Sequence, residues 1–157
     1  MSNINKTILS LSLIFLCACH FGNKERVAFL NPDGSKERWQ KDQAYFIERA
    51  QEKGLEVIVT DAAANEQTQY SQAMDLINKG IGVLVIGSVN ANTAASIVRE
   101  AHKKNVKVIA YDRLIRNSDL DFYVSHNNVE VGKIMANYVL ERKPSGNYLL
   151  LFGDRAD

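Results

Sequence analysis

The sequence predicts an α/β fold built on a doubly wound parallel sheet, and three observations predict it. Strand-like and helix-like segments alternate from Arg26 to Phe152, with a repeat of roughly 25 to 30 residues, the spacing of βαβ units. Val83-Leu84-Val85-Ile86 is apolar without any polar alternation, as a strand covered on both faces must be. Lys107-Val108-Ile109-Ala110-Tyr111 is a second apolar run, closed abruptly by Asp112 and Arg113, and reads as a central strand reaching the rim where such sheets bind ligands. The alternation then dictates parallel strands with helices on both faces.

Each element has its own warrant. Val27-Ala28-Phe29-Leu30 is the first strand, closed by the turn residues Asn31-Pro32-Asp33-Gly34-Ser35. Glu37 to Lys53 places Trp39, Ala44, Phe46, Ile47 and Ala50 at helical spacing, and Gly54 follows where a left-handed C′ residue is favoured. Leu55 to Asp61 is the second strand. Asn65 is the expected N-cap of a helix running to Lys79, with Tyr70, Ala73, Met74 and Ile77 as its buried stripe. After Val83–Ile86, a third helix is expected from about Thr93 to Lys104, burying Ala94, Ile97, Val98 and Ala101. Beyond the Asp112-Arg113 strand come a short fifth strand at Asp121–Ser125 and a helix from Val129 to Arg142, with Val131, Ile134, Met135, Tyr138 and Val139 facing inward. Asn147 to Phe152 reads as a sixth strand.

The first residues are of another kind. Lys6 precedes the apolar run Ile8 to Leu16, which is short for a membrane span and suited to a signal-peptide core. It ends in Leu16-Cys17-Ala18-Cys19, which resembles a bacterial lipobox. Residues 1–18 are therefore expected to be a lipoprotein signal peptide, with Cys19 lipidated, anchoring the chain to a membrane, and residues 19–25 forming a tether. The chain holds only these two cysteines, too few for a thiolate metal site and too close for a disulfide that staples anything.

Composition narrows the functional classes. At 46% hydrophobic and 24% charged, the 157 residues suit one ordinary globular domain. A formal net charge of +1 without a basic cluster argues against nucleic acid as a partner. The side chains expected at the rim are Asn31, Asp33, Asp61, Ser88 to Asn92, Asp112, Arg113, His126 to Asn128 and the loop from Gly153 to Asp157. That set suits hydrogen bonding to hydroxyls. Neither a dinucleotide glycine pattern nor a P-loop is present, and the third strand ends Ile86-Gly87-Ser88 where a phosphoacceptor domain would need an aspartate. His20, His102 and His126 are scattered, with no second metal ligand near any of them in sequence. The rim reads as a binding site, with no catalytic residues, cofactor or metal expected.

Glu37-Arg38-Trp39-Gln40-Lys41-Asp42, Asn65-Glu66-Gln67-Thr68-Gln69, Val83-Leu84-Val85-Ile86, Val108-Ile109-Ala110-Tyr111-Asp112-Arg113 and Asp121-Phe122-Tyr123-Val124-Ser125 together resemble the type I (ribose/galactose-type) periplasmic sugar-binding proteins of ABC transporters, in particular the D-xylose-binding members. The resemblance implies that residues 26–157 are a Rossmann-like N-terminal lobe, truncated, of a clamp that closes on a monosaccharide. It also implies an ABC permease as partner and a periplasmic or cell-surface location. Carried over by position, it makes Arg38 and Trp39 first-loop sugar contacts, Asp112 and Arg113 the strand-end hydroxyl-binding pair, and Asp157 a contact in a further loop. Where the family has Asp-Asn after the fifth strand, this chain has Asn127-Asn128, one charge fewer. Two other roles are compatible with such a lobe, the sensing input of a membrane signalling system and the ligand core of a LacI-type repressor. The second lacks its N-terminal helix-turn-helix, with the signal segment in that place.

Overall fold

The computed structural model describes residues 25–153. Residues 1–18, Cys19 and Asp157, all singled out above, lie outside the described residues. The described elements are β1 (Arg26–Asn31), α1 (Glu37–Glu52), β2 (Glu56–Asp61), α2 (Glu66–Asn78), β3 (Val83–Ile86), α3 (Ala95–Lys103), β4 (Lys107–Tyr111), β5 (Phe122–Val124) and α4 (Asn128–Arg142). The five strands form one sheet in the order β2-β1-β3-β4-β5, and every pairing is parallel. The expected α/β architecture is the one observed.

Because successive strand residues point to opposite faces, the sheet feeds two cores. Ala28, Leu30, Leu84, Ile86, Val108 and Ala110 pack against α2 and α3 through Ala73, Leu76, Ile77, Ile97, Val98 and Ala101. Their neighbours Val27, Phe29 and Val85 turn to the other face, where Trp39 and Ala50 of α1 cover them. The helix ends follow the expected chemistry. The Asn65 side chain accepts from the Thr68 N–H at 2.8 Å and caps α2, while Gly54 and Gly80 follow α1 and α2 at φ 77 and 72.

The departures are local. Residue 69, a glutamine, joins Ala73, Leu76 and Ile77 as the buried stripe of α2, leaving Tyr70 and Met74 only partly covered. The third helix begins at Ala95, because the Asn90 side chain holds a turn by accepting from the N–H groups of Asn92 and Thr93. On the α1 face, Ala44 is exposed, and a groove of about 340 Å³ runs between α1 and the sheet past Phe46, Val83, Val85 and Ile109. Two inward expectations fail. Val131, Ile134, Met135, Tyr138 and Val139 of α4 are 43–65% exposed, since the helix stands off the layers among the described residues. Asn147 to Phe152 forms no strand, because a strand exists only through ladder bonds to a neighbour and none lies beside it among the described residues; Leu149 and Leu151 are 84% and 89% exposed.

One polar cluster ties the late elements together. The Asp121 carboxylate accepts from the Val108 N–H at 2.8 Å and lies 2.8 Å from Lys107 Nζ and 2.9 Å from His102 Nε2. It joins the end of α3, the start of β4 and the approach to β5. Burial alone would raise this carboxyl, but Lys107, the Val108 amide and His102 outweigh it and hold Asp121 far below the usual carboxylate range. An unfolded aspartate titrates near pH ~4, so this contribution to stability is full above that pH and is lost as the pH falls towards the folded value. Urea unfolding should show Asp121→Asn costing stability at pH 6, with the gap to the parent chain narrowing at pH 3. A gap of equal size at both pH values would remove the charge from the account.

Candidate functional site

The site is assembled at the C-terminal ends of the parallel strands, around the turn that closes β4. Asp112 sits at φ 67, and the Arg113 N–H donates back to the Tyr111 carbonyl at 2.8 Å. A γ-turn of this positive-φ kind is rare for a residue with a β-carbon and costs on the order of 1–3 kcal/mol. Its surroundings hold it there. The Asp112 N–H donates to the Val124 carbonyl at 2.8 Å, and the Asp112 carbonyl accepts from the Ser125 hydroxyl at 2.9 Å and the Tyr123 hydroxyl at 3.3 Å.

The turn delivers the Asp112 carboxylate to Arg38. Arg38 Nη2 pairs with Asp112 Oδ1, and its Nε lies 3.5 Å from Asp42 Oδ2. The Asp112 partner raises the Arg38 guanidinium above its ordinary range against the opposing effect of burial. His126 Nδ1 stands 3.9 Å from the same Asp112 oxygen. Beside them, Tyr111, Asp112, Val124, Ser125 and His126 line a small pocket of about 130 Å³. Arg113 donates from Nη1 to the Ser88 carbonyl at 2.9 Å, which brings the exits of β3 and β4 together.

Trp39 lies beneath both arginines. Its ring centroid is 4.8 Å from Arg38 Cζ and 6.0 Å from Arg113 Cζ, distances at which a guanidinium is attracted to an indole face. The residue is only 3% exposed, packed edge-on against Tyr111 at 6.2 Å. Trp39, expected from the resemblance to be a first-loop sugar contact, stands in this structure as a buried residue that floors the charged groups. Burial, reinforced by the Asp42 carboxylate, pushes the Tyr111 phenol up.

Other rim residues serve the backbone. Asp61 Oδ1 accepts from the N–H groups of Gly34 and Ala63, both at 2.9 Å, and Asp33 accepts from Ser35 and pairs with Lys36. Asn127 caps α4 by accepting from the Glu130 N–H at 3.1 Å. Asn31 and Ser88, both expected at the rim, are buried there, and the sequence reading missed a third buried polar residue, Gln69. Gln69 was findable, since it stands four, seven and eight residues before Ala73, Leu76 and Ile77 and so shares their helix face. Among the described residues no group of three or more His, Cys, Asp or Glu is gathered to hold a metal ion, and no helix is long and apolar enough to cross a membrane.

Arg38, Asp112 and Arg113 thus present fixed acceptors and forked donors side by side over an aromatic floor. A neutral polyol matches this, because its hydroxyls can donate to the carboxylate and accept from the guanidinium groups while adding no charge of their own.

A family model described as periplasmic binding protein domain matches residues 27–157. The chain is 38% identical over 157 residues to the D-xylose-binding periplasmic protein of Escherichia coli (strain K12), covering 100% of this chain and 47% of that protein. It is 40% identical over 152 residues to the D-xylose-binding periplasmic protein of Haemophilus influenzae, covering 96% of this chain and 45% of that one. The chain therefore spans about half the length of the curated relatives it matches. Among solved structures, an ABC transporter solute-binding protein from Clostridium phytofermentans with bound β-D-glucose superposes with a TM-score of 0.72 at 34% identity, over 74% of this chain and 36% of that one.

The packing over Trp39 generates a direct test. A β-carbon at Gly87 would lie 2.9 Å from both Trp39 Cη2 and Pro32 Cδ. Gly87→Ala should cost about 1–3 kcal/mol in urea unfolding, as overpacked sites do, and should shift the emission of Trp39, the sole tryptophan. Unchanged emission and stability would show that the ring is not clamped there.

Proposed function

The chain belongs to the periplasmic binding protein domain family, and from that premise we propose that it serves sugar uptake through an ABC transporter as a membrane-tethered, D-xylose-binding component. The family consists of binding proteins, not enzymes. Its periplasmic relatives at 38% and 40% identity bear D-xylose in their names, which supports both that sugar and a periplasmic location. The observation that carries the reading is the meeting of Arg38, Asp112 and Arg113 above Trp39. In this reading Asp112 accepts from sugar hydroxyls, the two arginines donate to them, and Trp39 keeps the arginines in place. Asp157 supplies a further contact, the ABC permease receives the loaded protein, and a lipid on Cys19 keeps it at the membrane.

In this reading the described residues contact the sugar from one side, and a ligand covered from one side loses much of the burial that gives tight binding. Calorimetric titration of the 157-residue chain with D-xylose, D-ribose and D-glucose should favour D-xylose, with a dissociation constant of about a millimolar, worth roughly 4 kcal/mol. Arg113→Ala should abolish the heat. Unchanged affinity in that variant would take the Asp112-Arg113 pair out of the site.

Anchoring has its own measurement. In a bacterial host the chain should incorporate labelled palmitate and sediment with membranes, and Cys19→Ala should abolish both. Label retained in the variant would transfer the acyl group to another residue.

A further inference from the structure

Gln69 is 2% exposed on the face of α2 turned to the sheet. Its Nε2 donates to the Gly87 carbonyl at 2.9 Å, and its Oε1 accepts from the Val89 N–H at 3.0 Å. One side-chain amide therefore closes a strand-like pair of hydrogen bonds on the three residues that leave β3. Between those two anchors stands the Ser88 carbonyl, the acceptor of Arg113 Nη1 at 2.9 Å. Below the loop there is no room for a side chain at Gly87, where an added β-carbon would lie 2.9 Å from both Pro32 Cδ and Trp39 Cη2.

We propose that Gln69 is a positioning residue for the Arg113 guanidinium, acting through the Gly87-Ser88-Val89 backbone. The chemistry requires glutamine. Glutamate keeps the acceptor for Val89 but loses the donor for Gly87, asparagine is a methylene shorter, and leucine offers neither group. A buried carbonyl and N–H left without partners must turn towards water, and Ser88, lying between them, turns with them. The consequence for sugar binding rests on the reading of Arg113 as a sugar contact; the consequence for Arg113 geometry does not.

The test uses the whole chain with Gln69→Leu, Gln69→Glu and, as a reference, Val98→Ala, a cavity variant at a 1% exposed site on α3. The Arg113 Nε–Hε resonance, identified by its loss in Arg113→Lys, is followed alongside urea unfolding and D-xylose titration. Gln69→Leu should displace the Arg113 resonance and weaken D-xylose binding about tenfold, the scale of one mispositioned charged hydrogen bond. Gln69→Glu should displace it less, and Val98→Ala should lower stability while leaving it in place. An Arg113 resonance unmoved in both Gln69 variants, or moved as far by Val98→Ala, overturns the proposal. Should Gln69→Leu not fold, Gln69→Glu against Val98→Ala decides in the same way. If the resonance moves as expected while no sugar binds the parent chain, the positioning role stands and the sugar reading of Arg113 falls.

Discussion

At Asp112 a residue with a β-carbon is held at φ 67 by bonds from its own N–H to Val124 and to its carbonyl from Ser125 and Tyr123. Without those partners the turn would relax to an ordinary extended exit, and the carboxylate would leave Arg38. The strain is local, while its effect is to join three separate pieces of chain: the start of α1, the end of β4 and the segment after β5. Backbone outliers of this kind persist where the surroundings over-determine them.

The two cores divide the work. The face carrying α2 and α3 is the larger apolar mass, and it reaches the rim through the buried amide of Gln69. The face carrying α1 holds fewer buried residues but contains Trp39, over which the arginines sit. Stability and the geometry of the candidate site are thus drawn from opposite sides of one sheet, and they meet at the exit of β3, where a β-carbon on Gly87 would press on Trp39 and the Gly87 carbonyl accepts from Gln69.

The strands were readable because unbroken apolar runs closed by Asn, Asp or Gly leave little choice of structure, as at Val83–Ile86 and at Lys107–Tyr111 before Asp112. Asp112 and Arg113 were readable as rim residues for a related reason, since parallel strands bring all their C-terminal ends to one rim, whereas Arg38, in the first turn of α1, came only from the family resemblance. What escaped was decided by packing. The helical periodicity of α4 is genuine, yet periodicity says only that a helix has an apolar stripe, never what covers it. The burial of Trp39 was not legible either, because composition cannot tell a ring at the surface of a rim from one that lies a layer below it. Gln69 escaped because a polar residue on an apolar stripe is seldom read as core, although its partners are backbone groups that any neighbouring loop could supply.

The uncovered run from Tyr148 to Phe152 has a bearing on how the chain is handled. It contains neither charge nor proline apart from its flanks, it is 49–89% exposed, and the sheet ends at β2 and β5, each with one side unpaired among the described residues. Such a run adds to a bare strand edge of another molecule by the same ladder bonds that build the sheet. Association by that route needs two molecules for every contact, so it would grow faster than linearly with concentration.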